Sequence, residues 1–295
     1  MKFFDLNKKL WQWVILLFLA FIWGSSFILM KKGLEVYSHS IVAALRLSIA
    51  FVVLVPFAIT SFKNIEIKYW KYLIFTGVIG NGIPAFLFTL AQTQVASSLS
   101  GMLNSLTPIF ALMIGVILFN TRPLKSQIIG ISIGLLGAAG LIFSNGLNFE
   151  KSNIFYIFLI VVATFCYALS VNVIKAHLKE INSLLITSLS FISIGPFTII
   201  YLFTTDFIEI SLNNPFSNTA LFYIVILSVL GTVLAIILFN MLIKKTSTLF
   251  ATSVTYLIPI VAIFWGLLDG EKINIFHIIS VIITFVGIYF INKFR

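Results

Sequence analysis

The chain has 295 residues, 60% of them hydrophobic and 9% charged, with a mean hydropathy of +1.11. A soluble domain carries about 25% charged residues. The charge here is too sparse to coat a 33.0 kDa surface, and Cys166 is the single cysteine, which excludes a cytosolic enzyme, a disordered chain and a disulfide scaffold. The net charge of +10 arises from basic residues in ones to threes between long apolar runs. Nucleic-acid binding needs them clustered on one polar face, so no nucleic-acid partner is expected.

A hydrocarbon core of about 30 Å takes about 20 apolar residues of helix. Ten stretches have that length: 11–31, 39–60, 71–92, 95–118, 124–144, 153–175, 184–204, 219–243, 247–268 and 273–292. They are apolar on every side, so length identifies them and periodicity does not. Strands of a membrane barrel would alternate over about ten residues instead. The predicted fold is an all-α integral membrane protein of ten transmembrane helices. With the N-terminus in the cytoplasm, the inner segments hold fourteen Lys and Arg and the outer segments four, Arg46 lying within the second span. This positive-inside bias predicts both termini on the cytoplasmic side of a cell (plasma or inner) membrane. No small-x-small cleavage site follows Trp23-Gly24-Ser25-Ser26-Phe27, so the first span reads as retained. The longest outer connection, about 205–218, reads as a loop containing Asp206, Glu209 and Pro215.

The two halves of the chain match. A shift of 151 places Gly80 on Gly231, Leu87-Phe88 on Leu238-Phe239, Pro108-Ile109 on Pro259-Ile260 and Gly115 on Gly266. A shift of 144 carries Trp23 to Tyr167, Ser26 to Ser170, Lys31 to Lys175 and Leu34 to Leu178. Residues 1–145 and 150–295 thus read as two copies of a five-helix unit. Five is odd, so the copies insert with opposite orientation, a plan recurrent in secondary transporters. A unit packed on its upturned copy opens to either side at similar energy, and a solute at the midplane meets each side in turn. A duplicated but inert membrane scaffold is the alternative.

Phe21-Ile22-Trp23-Gly24-Ser25-Ser26-Phe27 is followed by Ala43-Ala44-Leu45-Arg46 in the second span. Pro108 and Pro259 lie in spans four and nine, Gly270-Glu271 leads into span ten, and Gly287 stands near its end. Together these features resemble the EamA-type transporters of the drug/metabolite transporter superfamily, along the whole chain. The resemblance implies an exporter or exchanger of small metabolites, often amino acids or related compounds. It also implies a central cavity lined by spans one, three, four, six, eight and nine. The family commonly has Gly-Glu after span four as well, where this chain has Phe119-Asn120-Thr121-Arg122, which leaves open any role of that acid. No cofactor is expected; the expected partners are a small-molecule solute and membrane lipid, with a monomer as the working unit.

Ionisable groups inside a membrane are functional suspects by default. No Asp or Glu falls clearly within a span, and Asp269 and Glu271 stand at the outer mouth, Glu271 as a gating or charged residue. No embedded carboxylate relay is therefore visible, and facilitated diffusion or exchange stands beside proton antiport. Arg46, about seven residues into span two, has three roles open to it. It can snorkel to the interface, pair with a helix C-terminus or meet an anionic group of the solute. The structural roles weigh more, because second spans lie outside the implied lining.

Trp23, Ser26, Asn81, Asn104, Thr107, Tyr167, Asn172 and Tyr256 lie within a few turns of their helix centres, and Asn240 nearer an end. Each is interhelical glue or solute contact; as a set on the implied lining they suit a neutral or zwitterionic ligand, with aromatics giving apolar walls with polar tips. Pro84, Pro108, Pro196 and Pro259 each remove a backbone donor. Gly80-Asn81-Gly82-Ile83-Pro84 is the strongest such break, either a kink or an interruption that offers backbone groups to a solute. Gly130, Gly134, Gly137 and Gly140 in span five read as a close-packing face. His39, His177 and His277 lie on different spans, so no metal site is expected.

An intramembrane enzyme would need a Ser-His pair, two aspartates or an HExxH site, and none assembles from these spans. A channel would need a filter segment, which is missing. Drug-like solutes remain open, and a phosphorylated or nucleotide-sugar solute calls for several embedded Lys or Arg where only Arg46 is found.

Overall fold

The computed structural model describes residues 6–59, 65–144, 151–270 and 275–292, and every regular element among them is a helix. The helices are α1 (Lys9–Leu34), α2 (His39–Ile59), α3 (Ile67–Ala91), α4 (Ser97–Phe119) and α5 (Lys125–Ser144), then α6 (Lys151–His177), α7 (Ser183–Phe203), α8 (Ser217–Lys245), α9 (Thr248–Leu268) and α10 (Ile275–Asn292). Among the described residues eight of these, α1 to α4 and α6 to α9, are long and apolar enough to cross a membrane. The physical reason for an all-helical chain is that lipid offers no partner for backbone N–H and C=O groups, so each segment must satisfy its own.

Eight of the ten expected spans are thus present as helices of crossing length. The other two expected segments form α5 and α10, of 20 and 18 residues, which pack on one another. Their backbones touch at two glycines: a Cβ built on Gly130 would stand 2.7 Å from the Gly287 carbonyl oxygen. Gly134 also faces the Tyr256 ring and Gly140 faces Ser280, so the α5 glycines serve close approach. The segment expected as an outer loop contains a short helix, Phe207–Asn213, whose first amide is met by the Thr205 hydroxyl.

α1 and α8 run antiparallel. Gly33 near the end of α1 lies beside Ile224 near the start of α8, and the Trp23 indole N–H donates to the Gly231 carbonyl at 3.0 Å. An aromatic edge reinforces this seam, Trp23 on Phe239 at 4.9 Å between ring centroids, and Trp13 meets Phe250 of α9 at 5.3 Å.

Five of the long helices change winding or break part-way. α3 contains a π turn at Val78–Gly82, so Gly80 to Pro84 neither interrupts the helix nor simply kinks it. α8 contains a second π turn at Val229–Leu234, which the 151-residue shift places on the first. In α4 a 3-10 turn at Asn104–Leu106 precedes the segment that Pro108 begins, and α9 pauses at Ser253, ahead of Pro259. α7 also breaks, at Ser193 and Ile194, where Pro196 restarts it and Gly195 lets the Phe51 ring approach. α4 ends on Asn120 at φ 50°, and α9 is followed by Gly270 at φ 86°. Asn tolerates the left-handed region best after Gly, so the departure at Asn120 keeps the turn.

Candidate functional site

The winding changes in α3, α4, α8 and α9 surround a central cavity of about 110 Å³. An apolar cavity of about 150 Å³ holds a benzene-sized molecule, so this one suits a small organic body. Trp23, Phe27, Phe88, Tyr167, Ile236 and Phe239 form its walls. Phe88 stacks on Tyr167 at 5.8 Å between centroids, which holds two of these rings in place. Ser26, Thr76, Asn81, Asn104, Thr107, Ser170, Thr187, Ser190, Thr232, Asn240 and Thr255 supply polar atoms.

The π turns explain why polar groups gather here. Each widened turn loosens the regular bonding of a carbonyl five residues earlier, and a side chain takes it up. Asn81 Nδ2 donates to the Thr76 carbonyl at 2.9 Å, and Thr232 Oγ1 donates to the Leu227 carbonyl at 3.2 Å. Asn81 and Thr232 are related by the 151-residue shift, as are Thr76 and Leu227. The same device therefore occurs once in each half, and both of its side chains line the cavity. Asn240 Nδ2 donates to Thr187 Oγ1 at 3.0 Å, and Thr107 Oγ1 to the Asn104 carbonyl at 2.8 Å.

Of the residues singled out in the sequence, Trp23, Ser26, Asn81, Asn104 and Tyr167 stand together on the cavity. Asn172 and Tyr256 do not. Asn172 Nδ2 donates to the carbonyls of Ala111 and Ala168, binding α6 to α4. Tyr256 is 1% exposed, with its ring under Gly134 of α5. Pro84, Pro108 and Pro259 are absent from the lining and act through the winding of their helices. Glu271 lies outside the described residues.

Arg46 departs most from the sequence reading. α2 and α7 both reach the cavity, through Arg46, Leu47, Thr187 and Ser190. The physical reason lies in small residues at the crossings: Gly77 of α3 sits against the Ser190 carbonyl, drawing α7 inward. Arg46 reaches across to α8, where its Nε donates to Thr232 Oγ1 at 2.8 Å. Among the described residues no carboxylate pairs with it. The hydroxyls of Thr76, Ser170, Ser190 and Thr232 were not singled out from the sequence. The internal alignment carried the signal for Thr232, which falls on Asn81.

The two ends of the bundle, beyond the cavity, are tied differently. Lys31 and Lys32, near the end of α1, pair with Asp269 after α9 at 2.5 and 3.1 Å. The hydrogen bond from Lys31, with that from Lys32, holds the Asp269 carboxyl below the usual carboxylate range. At the C-terminal end of α8, Lys175 of α6 donates to the carbonyls of Ile243 at 2.9 Å and Thr246 at 2.5 Å, and Lys244 donates to the carbonyl of Ile181. Among the described residues no group of three or more His, Cys, Asp or Glu is placed to hold a metal.

The sequence profile of the EamA-like transporter family matches residues 11–143 and 154–293. An uncharacterized transporter of Archaeoglobus fulgidus is 25% identical over 285 residues, 96% of this chain and 99% of its own length. The uncharacterized inner membrane transporter YedA of Escherichia coli K12 is 24% identical over 87% of this chain and 82% of its own. One solved crystal structure shares the fold with a TM-score of 0.72, over 95% of this chain and 96% of its own, at 12% identity. With helices long enough to cross a membrane and a family profile matched along most of its length, this chain is a multi-pass membrane protein that belongs to the EamA-like transporter family.

Proposed function

We propose that the protein carries a small organic metabolite, such as an amino acid or a related solute, across a cell membrane by alternating access to the central cavity. In this reading α5 and α10 also cross the bilayer, residues 1–145 and 150–295 are two inverted five-helix repeats, and both termini are cytoplasmic. A monomer suffices, acting as an exporter or exchanger without catalysis.

The observation that carries the reading is the cavity itself, walled by aromatic rings and furnished with polar atoms by two π turns in equivalent places. Helix direction supports the inversion. α1 and α6 correspond by the 144-residue shift, yet their lysines lie at opposite ends of α8. Lys31 stands two residues from Gly33, which touches Ile224, whereas Lys175 bonds to Ile243. The bias of Lys and Arg toward one set of loops supports the placement of the termini.

The test is a thermal-shift screen of purified protein against amino acids, nucleobases and drugs, followed by flux of each stabilising compound into proteoliposomes. A ligand that binds the native state raises apparent stability. Saturable flux that falls about tenfold in Tyr167→Ala, with expression unchanged, is expected. Binding with no flux above empty liposomes contradicts the reading.

A further inference from the structure

We propose that Arg46 is the anion anchor of the cavity, and that the solute carries a single carboxylate on an apolar body. This rests on the reading that the cavity is the solute site. A guanidinium has five N–H donors. In Arg46, Nε is occupied by Thr232 Oγ1 at 2.8 Å, and the described residues supply no partner for the two terminal nitrogens. The Nε contact fixes the plane of the fork, leaving its outer edge for an anion with two parallel acceptors, which is the geometry of a carboxylate.

The scaffold does not require this cation. The 144-residue shift that relates α1 to α6 also places Arg46 on Ser190 of α7, with Leu45 on Leu189. Ser190 lines the same cavity, and its hydroxyl is buried without a partner. The first π turn is completed by Asn81 alone, with no cation to assist it. One half therefore builds the same winding without an arginine, which removes helix glue as the reason for Arg46. A part-buried cation at mid-membrane with no carboxylate beside it is costly, and an anion that arrives with the ligand offsets that cost.

Size and surroundings narrow the class. About 110 Å³ of cavity, walled by Trp23, Phe88, Tyr167 and Phe239, fits one small apolar body. A single arginine matches one negative charge, whereas a phosphate ester at neutral pH brings close to two. An amino group on the same body would face the acceptor oxygens of Asn104 and the neighbouring hydroxyls, since no described carboxylate lines the cavity. With a simple monocarboxylate bound the site is electrically neutral, and reorienting it no longer moves a bare charge through the membrane; a zwitterionic amino acid pairs the guanidinium but leaves one net positive charge.

The experiment measures binding to the purified full-length protein in detergent, by titration calorimetry and thermal shift, apart from any flux. The probes share one branched aliphatic skeleton that suits the cavity: 3-methylbutanoate, its amide, valine and isobutylamine. A chloride control is included. Acids binding on the order of tenfold to a hundredfold more tightly than the matching amides and amines are expected, as for a lost hydrogen bond to a charged group. Arg46→Gln abolishes that preference and Arg46→Lys restores part of it. Valine matching 3-methylbutanoate identifies an amino acid solute, and 3-methylbutanoate alone identifies a simple organic acid; both support the proposal. Amides binding as well as acids, chloride stabilising as well as any acid, or no acid binding at all overturns it. If Arg46→Gln fails to fold, the acid-to-amide ratio on the unaltered protein decides. Retained acid binding without flux would contradict the transport reading and leave the anchor standing.

Discussion

At one end of the helix bundle Lys31 and Lys32 grip a carboxylate, whereas at the other Lys175 and Lys244 grip backbone carbonyls. Lys31 corresponds to Lys175 in the internal alignment, so two equivalent lysines have acquired different partners. At the Asp269 end the charges are partly exposed, with 18% of the aspartate and 37% of the Lys31 side chain open. Such pairs contribute about 0–1 kcal/mol and weaken in salt. At the Lys175 end the ammonium groups meet carbonyls at helix ends, where the last turn leaves acceptors without intrahelical partners and the dipole favours a cation. Those acceptors carry no titratable proton. The comparison teaches that one end is built to respond to acid and salt, while the other, with carbonyl acceptors, has no group that acid would protonate.

Lys175→Met probes the contrast most severely. It leaves the carbonyls of Ile243 and Thr246 without their donor. About 1–3 kcal/mol for each orphaned acceptor predicts a clear fall in Tm of the detergent-solubilised protein. A Tm unchanged within error would show that the carbonyl clamp is dispensable.

Asp269→Asn removes both ion pairs at the other end and carries a smaller expected effect. A loss of about 1 kcal/mol moves the open-to-closed ratio at that end about fivefold. Spin labels at Val36→Cys and Leu268→Cys, in a Cys166→Ala background, would report a longer distance between α1 and α9.

Acid should reproduce that change. The Asp269 carboxyl lies below its ordinary value because Lys31 and Lys32 hydrogen-bond its ionised form. The ion pair is therefore fully present above the usual carboxylate pKa of about 4, and is lost as pH falls through the depressed value. The same label pair should separate below about pH 4 and in high salt, while labels across α6 and α8 at the Lys175 end stay in place. Equal response at both ends would erase the distinction.

An effect of similar size is expected at Tyr72, whose ring stacks on His177 at 4.1 Å between centroids, near Lys175. Tyr72→Ala removes an aromatic pair of about 0.5–1.5 kcal/mol, visible as a Tm change smaller than that of Lys175→Met.

Helix positions were legible in the sequence because membrane thickness sets a length that composition alone reveals; α2, expected at 39–60, runs His39–Ile59. Element pairing was legible in part, through Gly80 and Gly231, which mark both π turns. The turns themselves were not, since glycine and proline announce a disturbance without saying whether the helix breaks or widens. Trp23, Ser26, Asn81, Asn104 and Tyr167 could be placed at mid-helix, but which face each turns inward is decided by packing. Asn172 and Tyr256 sit at similar depth and turn toward other helices. The contact of Arg46 was not legible because its reach depends on the Thr232 hydroxyl, 186 residues away in sequence.

Two-sided accessibility of the cavity tests the central claim most directly. Ser170→Cys, placed on the lining in a Cys166→Ala background, would be treated with a membrane-impermeant thiol reagent in oriented vesicles, from one side and then the other. Alternating access predicts modification from both sides, with each rate altered by a bound solute. Modification from one side alone, under every condition, contradicts it.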